Sequence, residues 1–411
     1  MVQATRQTQR NRVISHMKYT VWKCLLLVSS IVTISSCTDE NPAAPANPSD
    51  PETTSPRYDR ATYPGVTWTE ADPVDVNMSQ AQIDQSMNYA FTPGRNTQSV
   101  LVVRHGVIVA ERYATFPNNN ENGEDQGTGK RNKDSAATTW STAKSIISAV
   151  LGIAVNQNFI SSISESASSY LPAWVNTANN AVTIRHLLEM RSNLVVVDRP
   201  GWIYGSETVA AGIGGDQLAY SLQRELAGSP GTTWSYSNED SMLLGAIIEN
   251  ATGMHPYTYA DINLFSKIGM EVEWWLDTEG NAMTYCCIDA TPRSLARFGL
   301  LFARNGKWGD EQIVPAQWVK ESTAPIPGVG FYGYQWWVRE SDNMYSSQGL
   351  HDNDIYIFPD KDLVILRNSY YEKLGDGSTV RTGKNRHYTL PPSSWDDFAF
   401  LQPIMLSTPP G

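Results

Sequence analysis

The rhythm of apolar and polar residues changes along the chain, and each change marks a different kind of element. In "SVLVVRHGVIVAERYAT", residues 99 to 115, two β-branched runs flank His105-Gly106, a pattern that predicts a β-hairpin. The polar stretch that follows, "NNNENGEDQGTGKRNKDS", has no apolar period and predicts a surface excursion. Helical spacing then takes over in "TTWSTAKSIISAVLGIAV", residues 138 to 155. It continues in "VTIRHLLEMRSNL", where Ile184, Leu187 and Leu188 share a face and Asn193 supplies the left-handed stop. Two more helices are predicted: "SMLLGAIIENATG", closed by Gly253, and "TPRSLARFGLLFARNGKWG", closed by Asn305-Gly306. Strand patterns return in "GYQWWVRE", "NMYSSQGL", "DIYIFPD" and "DLVILRNS", with a last helix in "SSWDDFAFLQPIML". Strands at both ends with helices between predict an α/β fold of the α+β type. An antiparallel sheet formed by both termini is flanked by helices, and a mainly helical region is inserted at roughly 150–285.

The amino-terminal segment follows another logic. Lys18 and Lys23 precede "CLLLVSSIVTISSC", an apolar stretch that is short for a bilayer span, so residues 1–37 read as an export signal with Met1 or Met17 as its start. Its end, Ile34-Ser35-Ser36-Cys37, resembles a bacterial lipobox, which would make Cys37 a lipidation site; a plain signal peptide or an uncleaved anchor fits the same stretch. Each buried CH₂ of a lipid contributes about 0.8 kcal/mol, so two or three acyl chains would hold the protein on a membrane at the bacterial cell envelope. Residues 38–57, "TDENPAAPANPSDPETTSPR", are Pro-rich and acidic and read as a disordered tether, leaving residues 58–411 for the folded domain.

Composition narrows the function classes. A chain of 411 residues with 41% hydrophobic positions can bury a large core. Its net charge of −11, without a basic run, excludes a phosphate-binding face for nucleic acid. With Cys24 and Cys37 in the signal, only adjacent Cys286 and Cys287 remain, and neighbouring cysteines close only a strained ring, so they are expected as two small buried thiols. The 6 histidines are scattered without metal-ligand spacing, and no metal or organic cofactor is implied.

Candidate chemistry begins at Ser141 and Lys144. Residues three apart on a helix share a face, so the two side chains can meet, and an amine whose pKa is lowered by burial can take a serine proton. Ser15-His16-Met17-Lys18 matches the same spacing by chance, and a helix-capping serine with a solvated lysine also fits. The second element is Tyr236-Ser237-Asn238, the sole Tyr-x-Asn in the chain, directly before an apolar helix. A phenol there can relay a proton to a leaving group and an amide can bond the lysine and a substrate carbonyl, although a packing tyrosine and a capping Asn fit equally well.

With "WSTAKS" and "WSYSN" in this order, followed by "SLARFGLLFARNGKW" and "YGYQWWV", the sequence resembles the serine β-lactamase and penicillin-binding-protein-like hydrolases. The branch with class C β-lactamases, esterases and 6-aminohexanoate-dimer hydrolases is the most similar, over roughly residues 95 to 400. The resemblance implies an acyl-enzyme on Ser141, with Lys144 and Tyr236 moving protons and Asn238 on the substrate. The family's third motif, Lys-Thr-Gly or His-x-Gly, falls on "SQGLHDNDIYIFP". Counting back from Pro359 places Leu350 at the basic position, Asp352 at the glycine and Asn353 where a backbone N–H completes the oxyanion hole. A one-residue slip would bring His351 into the basic role; Arg381-Thr382-Gly383 reads as a decoy loop. Without the basic residue a substrate carboxylate loses its partner, which favours a neutral or cationic, small-molecule or peptide-like amide or ester over a β-lactam or a D-Ala-D-Ala peptide. Trp202 and Tyr204 in "DRPGWIYGSE" are candidate walls for it. The alternative from another class is an impaired enzyme that holds a cell-envelope ligand without cleaving it.

Overall fold

The computed structural model describes residues 57–119, 125–195, 216–369 and 395–408. The signal with Cys37, the tether up to residue 56, the Trp202–Tyr204 loop and Arg381-Thr382-Gly383 lie outside the described residues.

A two-residue hairpin turn of type I′ needs left-handed backbone at both central positions, and His105 (φ 50°) and Gly106 (φ 74°) supply it. After helix α1 (Gln80–Ala90), strands β1 (Thr97–Arg104) and β2 (Val107–Tyr113) therefore pair antiparallel around that turn. Strands β3 (Thr115–Asn119) and β4 (Asp125–Lys130) form a second antiparallel pair where a loop was expected. Period-2 patterning is the sequence signal for a strand, and this polar stretch lacks it, although its backbone pairs Thr115 with Lys130 and Phe116 with Gly129. Next come β5 (Ala137–Thr138), α2 (Thr142–Asn156), α3 (Ile184–Leu188), α4 (Gln217–Leu222), α5 (Asn238–Thr252) and α6 (Pro256–Ala260). They are followed by β6 (Val272–Trp274), β7 (Ile288–Ala290), α7 (Pro292–Ala303), the short β8 (Lys307–Trp308) and β9 (Glu311–Gln312), and α8 (Ala316–Ser322). The chain closes with β10 (Trp337–Arg339), β11 (Met344–Gly349), β12 (Asn353–Phe358), β13 (Leu363–Ser369) and α9 (Asp397–Ser407).

The main sheet has the order β10-β11-β12-β13-β1-β2, antiparallel throughout, so the two ends of the domain meet where β13 pairs with β1. Alternation along each strand splits the core into two layers. Val100, Val102, Ile365 and Tyr356 pack with α1 and α9, whereas Leu101, Val103, Leu366 and Ile355 pack with α2, α5 and α7. Both faces are covered, which is why these strands read as continuous apolar runs.

Helix α2 is buried on every side from Thr142 to Ala154 and forms the central post. One buried amide ties it to its neighbours. Ser145 Oγ donates to the Gln335 carbonyl, Ser241 Oγ of α5 donates to Gln335 Oε1, and Gln335 Nε2 donates to the carbonyls of Leu187 and Leu188. With those carbonyls committed, α3 stops earlier than its apolar spacing predicts. Met190 takes the left-handed position (φ 56°) and the N–H groups of Met190 and Arg191 return to Leu187 and His186. Asn193 is also left-handed (φ 57°), but in the turn beyond. The expected stops at Gly253 (φ 70°) and Asn305-Gly306 (φ 53° and 76°) are found as predicted.

Candidate active site

Strand β5 pairs with β7, and the Thr139 N–H donates to the Ile288 carbonyl, so the chain enters α2 from a fixed direction. Trp140 turns it there with φ 50°, a conformation that costs a bulky residue on the order of 1–3 kcal/mol and persists only where packing dictates it. That packing comes from Trp275, Met283, Cys286 and Cys287. Cys286 and Cys287 are joined in a disulfide, which corrects the expectation of two free thiols. Both are buried, and the left-handed backbone of Cys287 (φ 70°) accompanies the closed ring.

Ser141 stands half-buried before the first turn of α2, and its side chain caps no helical N–H. The capping use of this serine is therefore not realised. Its Oγ instead accepts from Lys144 Nζ at 3.2 Å. The ammonium end of Lys144 has two further acceptors, Asn238 Oδ1 at 2.7 Å and the Tyr285 carbonyl at 2.6 Å, which use all three of its donor positions. The residue is 1% exposed, and burial pushes its pKa down to about 7, with the nearby charge of Glu239 pulling the other way.

Asn238 is available for that bond because Ser237, not Asn238, caps α5, its Oγ accepting from the Asp240 N–H. Tyr236, just ahead of the cap, stands near enough to Ser141 for that hydroxyl to act on its phenol, and Lys144 Nζ lies 4.9 Å from its ring centroid. Burial raises the Tyr236 pKa, against the lowering by Ser141, so the phenol keeps its proton at neutral pH. Ser141, Lys144, Tyr236 and Asn238 are thus brought together in one cluster.

The third motif lies beside them. Gly349 ends β11 opposite Asn353 of β12, and a Cβ on Gly349 would stand 2.1 Å from the Thr139 carbonyl oxygen, so only glycine lets the strand end approach the chain leading into Ser141. Thr142 Oγ1 donates to the Asn353 carbonyl at 2.9 Å, which fixes Asn353 against the first turn of α2. Between Gly349 and Asn353, Leu350 packs on the Trp140 cluster, while His351 (φ 63°) and Asp352 (φ 61°) form the turn.

Those turn residues are committed elsewhere. Arg367, fully buried on β13, donates to the carbonyls of His351 and Asp352, and the Asn353 amide oxygen accepts from the Ser369 N–H. Burial, helped by the Arg367 charge, lowers His351 to about 4, so it is uncharged at neutral pH and gives the cleft no cation. Asp352 lies 4.0 Å from Arg367; burial raises its pKa, Arg367 opposes this and Asp397 adds to it. Sequence reasoning missed Arg367 and the Tyr285 carbonyl. The first had a signal, a lone cation inside the apolar run "DLVILRNS", but a backbone carbonyl has none.

A family model described as Beta-lactamase matches residues 80–370, and the chain belongs to the β-lactamase family. Solved structures share its fold. A protein from Bacillus anthracis described as a 6-aminohexanoate-dimer hydrolase is 21% identical with a TM-score of 0.59, over 79% of this chain and 83% of that one. The octameric penicillin-binding protein homologue from Pyrococcus abyssi is 16% identical with a TM-score of 0.57, over 80% and 77%. EstCE1, described as a hydrolase with promiscuous acyltransferase activity, is 14% identical with a TM-score of 0.55, over 70% and 92%. No curated protein matches the chain.

Proposed function

We propose that the protein is a serine hydrolase that opens amide or ester bonds through an acyl-enzyme on Ser141. The observation that carries this reading is the Lys144 amine, buried, without a carboxylate in salt-bridge contact among the described residues, and 3.2 Å from Ser141 Oγ, with Asn238 Oδ1 and the Tyr285 carbonyl to take the two N–H groups of its neutral form and leave its lone pair for the hydroxyl. An amine titrating near 7 is a competent base at neutral pH, whereas a phenol held above its ordinary range is not, so Lys144 takes the Ser141 proton. Ser141 Oγ bonds to the substrate carbonyl carbon, and the backbone N–H groups of Ser141 and Asn353 receive the oxyanion. When the C–O or C–N bond breaks, Tyr236 gives the leaving group its proton and regains one from Lys144. Water then adds to the acyl-enzyme with the same groups moving its proton, which releases the acid and restores Ser141.

Asn238 holds Lys144 and reaches the substrate carbonyl. The missing cation at Leu350 and the uncharged His351 favour a neutral or cationic substrate, as in an esterase or a 6-aminohexanoate-dimer hydrolase, over a β-lactam or D-Ala-D-Ala peptide. Cys37 would anchor the enzyme by lipid in the cell envelope; a membrane-bound form that Cys37→Ala releases is the expected outcome of fractionation.

The test is intact-mass spectrometry after exposure to a fluorophosphonate and to a panel of small esters and amides. The expected result is one adduct and turnover, both lost in Ser141→Ala. Folded wild-type protein that forms no adduct would instead support a binding protein that retains the fold.

A further inference from the structure

Tyr236 has a second side that the chemistry above does not use. One face of its ring looks toward Lys144, while the ring also stacks on Trp337, with centroids 5.8 Å apart and planes 25° apart. Trp337 stacks in turn on Phe331 at 6.3 Å and 18°, and Trp234 meets Phe331 edge-on at 5.0 Å. Centroid spacings this long between nearly parallel rings mean offset steps, in which each ring leaves part of its face uncovered by the next. Underneath lie buried Tyr332, Met190 and Ile326; Tyr332 stands perpendicular to Trp337 at 5.1 Å. Trp234, Tyr236, Phe331 and Trp337 all stay half-buried, so the cluster presents an upper surface to solvent as well as a packed lower one. Trp234 also lies 6.5 Å from Tyr236 and 6.2 Å from Trp337, so the four rings form one cluster whose inner member, Tyr236, stands beside Ser141.

We propose that this aromatic staircase is the leaving-group subsite, and that it selects substrates whose alcohol or amine carries a planar apolar ring. The inference rests on the acyl-enzyme reading, because Tyr236 hands its proton to the departing group and that group must then lie beside the Tyr236 ring. A flat apolar group set on the exposed steps gains offset stacking and removes apolar surface from water. The ring leaves with the alcohol or amine once the bond to the acyl carbon breaks, so the subsite acts on acylation and not on the hydrolysis of the acyl-enzyme that remains.

The test compares naphthylmethyl and ethyl esters of one acid, whose alcohols differ little in acidity. Wild type is expected to favour the naphthylmethyl ester in kcat/KM by about tenfold or more. Phe331→Ala touches Trp337 and Trp234 but has no ring contact with Tyr236, and it should lower that preference about tenfold. Phe331→Leu, which keeps apolar volume without the ring, is the second variant if the alanine form does not fold, and it should lower the preference in the same direction. Single-turnover deacylation of the common acyl-enzyme should be equal for both esters. A wild type that forms the Ser141 adduct yet treats the two esters alike overturns the staircase and leaves the hydrolase reading standing. So does an unchanged preference in both variants. Absence of any adduct on wild type overturns both.

Discussion

The two walls of the candidate site, the helical one and the strand one, spend their polar groups in opposite directions. On the helical wall, the functional atoms of Ser141, Lys144, Tyr236 and Asn238 are turned on one another, and Lys144 has no salt bridge among the described residues to hold its proton. On the strand wall, the carbonyls of His351 and Asp352 and the side chain of Asn353 are committed to Arg367, Leu350 and Ser369, away from the serine. A wall built from helix beginnings presents side chains one turn apart, whereas a strand end presents mainly backbone. On the acyl-enzyme reading proposed above, the helical wall supplies the reactive groups, and the strand wall supplies shape and N–H groups.

Lys144→Met breaks the helical wall most completely. Loss of the base is expected to lower kcat/KM by three orders of magnitude or more. In wild type the rate should fall as pH drops through about 7, where the amine gains its proton. Stability carries the same signature. The folded pKa lies below the unfolded one near 10.5, so between about 7 and 10.5 the unfolded chain holds a proton that the native state has lost, and wild-type stability climbs with pH. Relative to Lys144→Met, wild type should gain a few kcal/mol from pH 7 to 10 in denaturant titrations. Parallel stability curves for the two proteins would mean that the amine is not held neutral.

Gly349→Ala challenges the strand wall through its backbone alone. The added Cβ meets the Thr139 carbonyl oxygen at 2.1 Å, and neither partner is a flexible side-chain end, so β11 must draw back from the turn into Ser141. The expected cost is about 1–3 kcal/mol of stability and about a hundredfold in kcat/KM, read from unfolding and from steady-state kinetics on one ester. Stability lost without loss of rate would show that the strand end does not shape the site.

The same division governed what could be read from the sequence. Ser141 with Lys144, and Tyr236 with Asn238, are short-range spacings at helix starts, and the helical period places each pair without knowledge of the rest. The six-stranded sheet was also legible, because β-branched runs at both ends of the domain had to find each other. Links between distant segments were not. The Gln335 side chain joins α3 and α5, and its carbonyl takes Ser145 of α2, links that no periodicity encodes, and its pull on Leu187 and Leu188 accompanies the early end of α3. The Cys286–Cys287 bond and the Tyr285 carbonyl depend on a local chain path that residue types leave open. The third motif fell between: its register from Pro359 placed the turn, but only the structure shows the turn residues drawn toward Arg367.

The smallest change gives the strand wall the cation it lacks. Leu350 is half-buried against Trp140, Trp275 and the cysteine pair, so in Leu350→Lys the aliphatic stem keeps part of that packing while the ammonium reaches solvent at the rim. Lost apolar contact costs about 1 kcal/mol of stability. An exposed ion pair is worth about 0.2–1 kcal/mol, so a substrate with a carboxylate on this side should gain about 1.4- to fivefold in kcat/KM relative to its neutral amide. The gain should sit in KM and fade as salt rises from about 0.05 to 0.5 M, because screening shortens the reach of a rim charge. A gain that survives salt would place the new amine deeper than the packing of Leu350 allows. No gain at low salt would mean that the negative charge of Asp352 two residues on, and not the missing cation, keeps carboxylates out of the cleft.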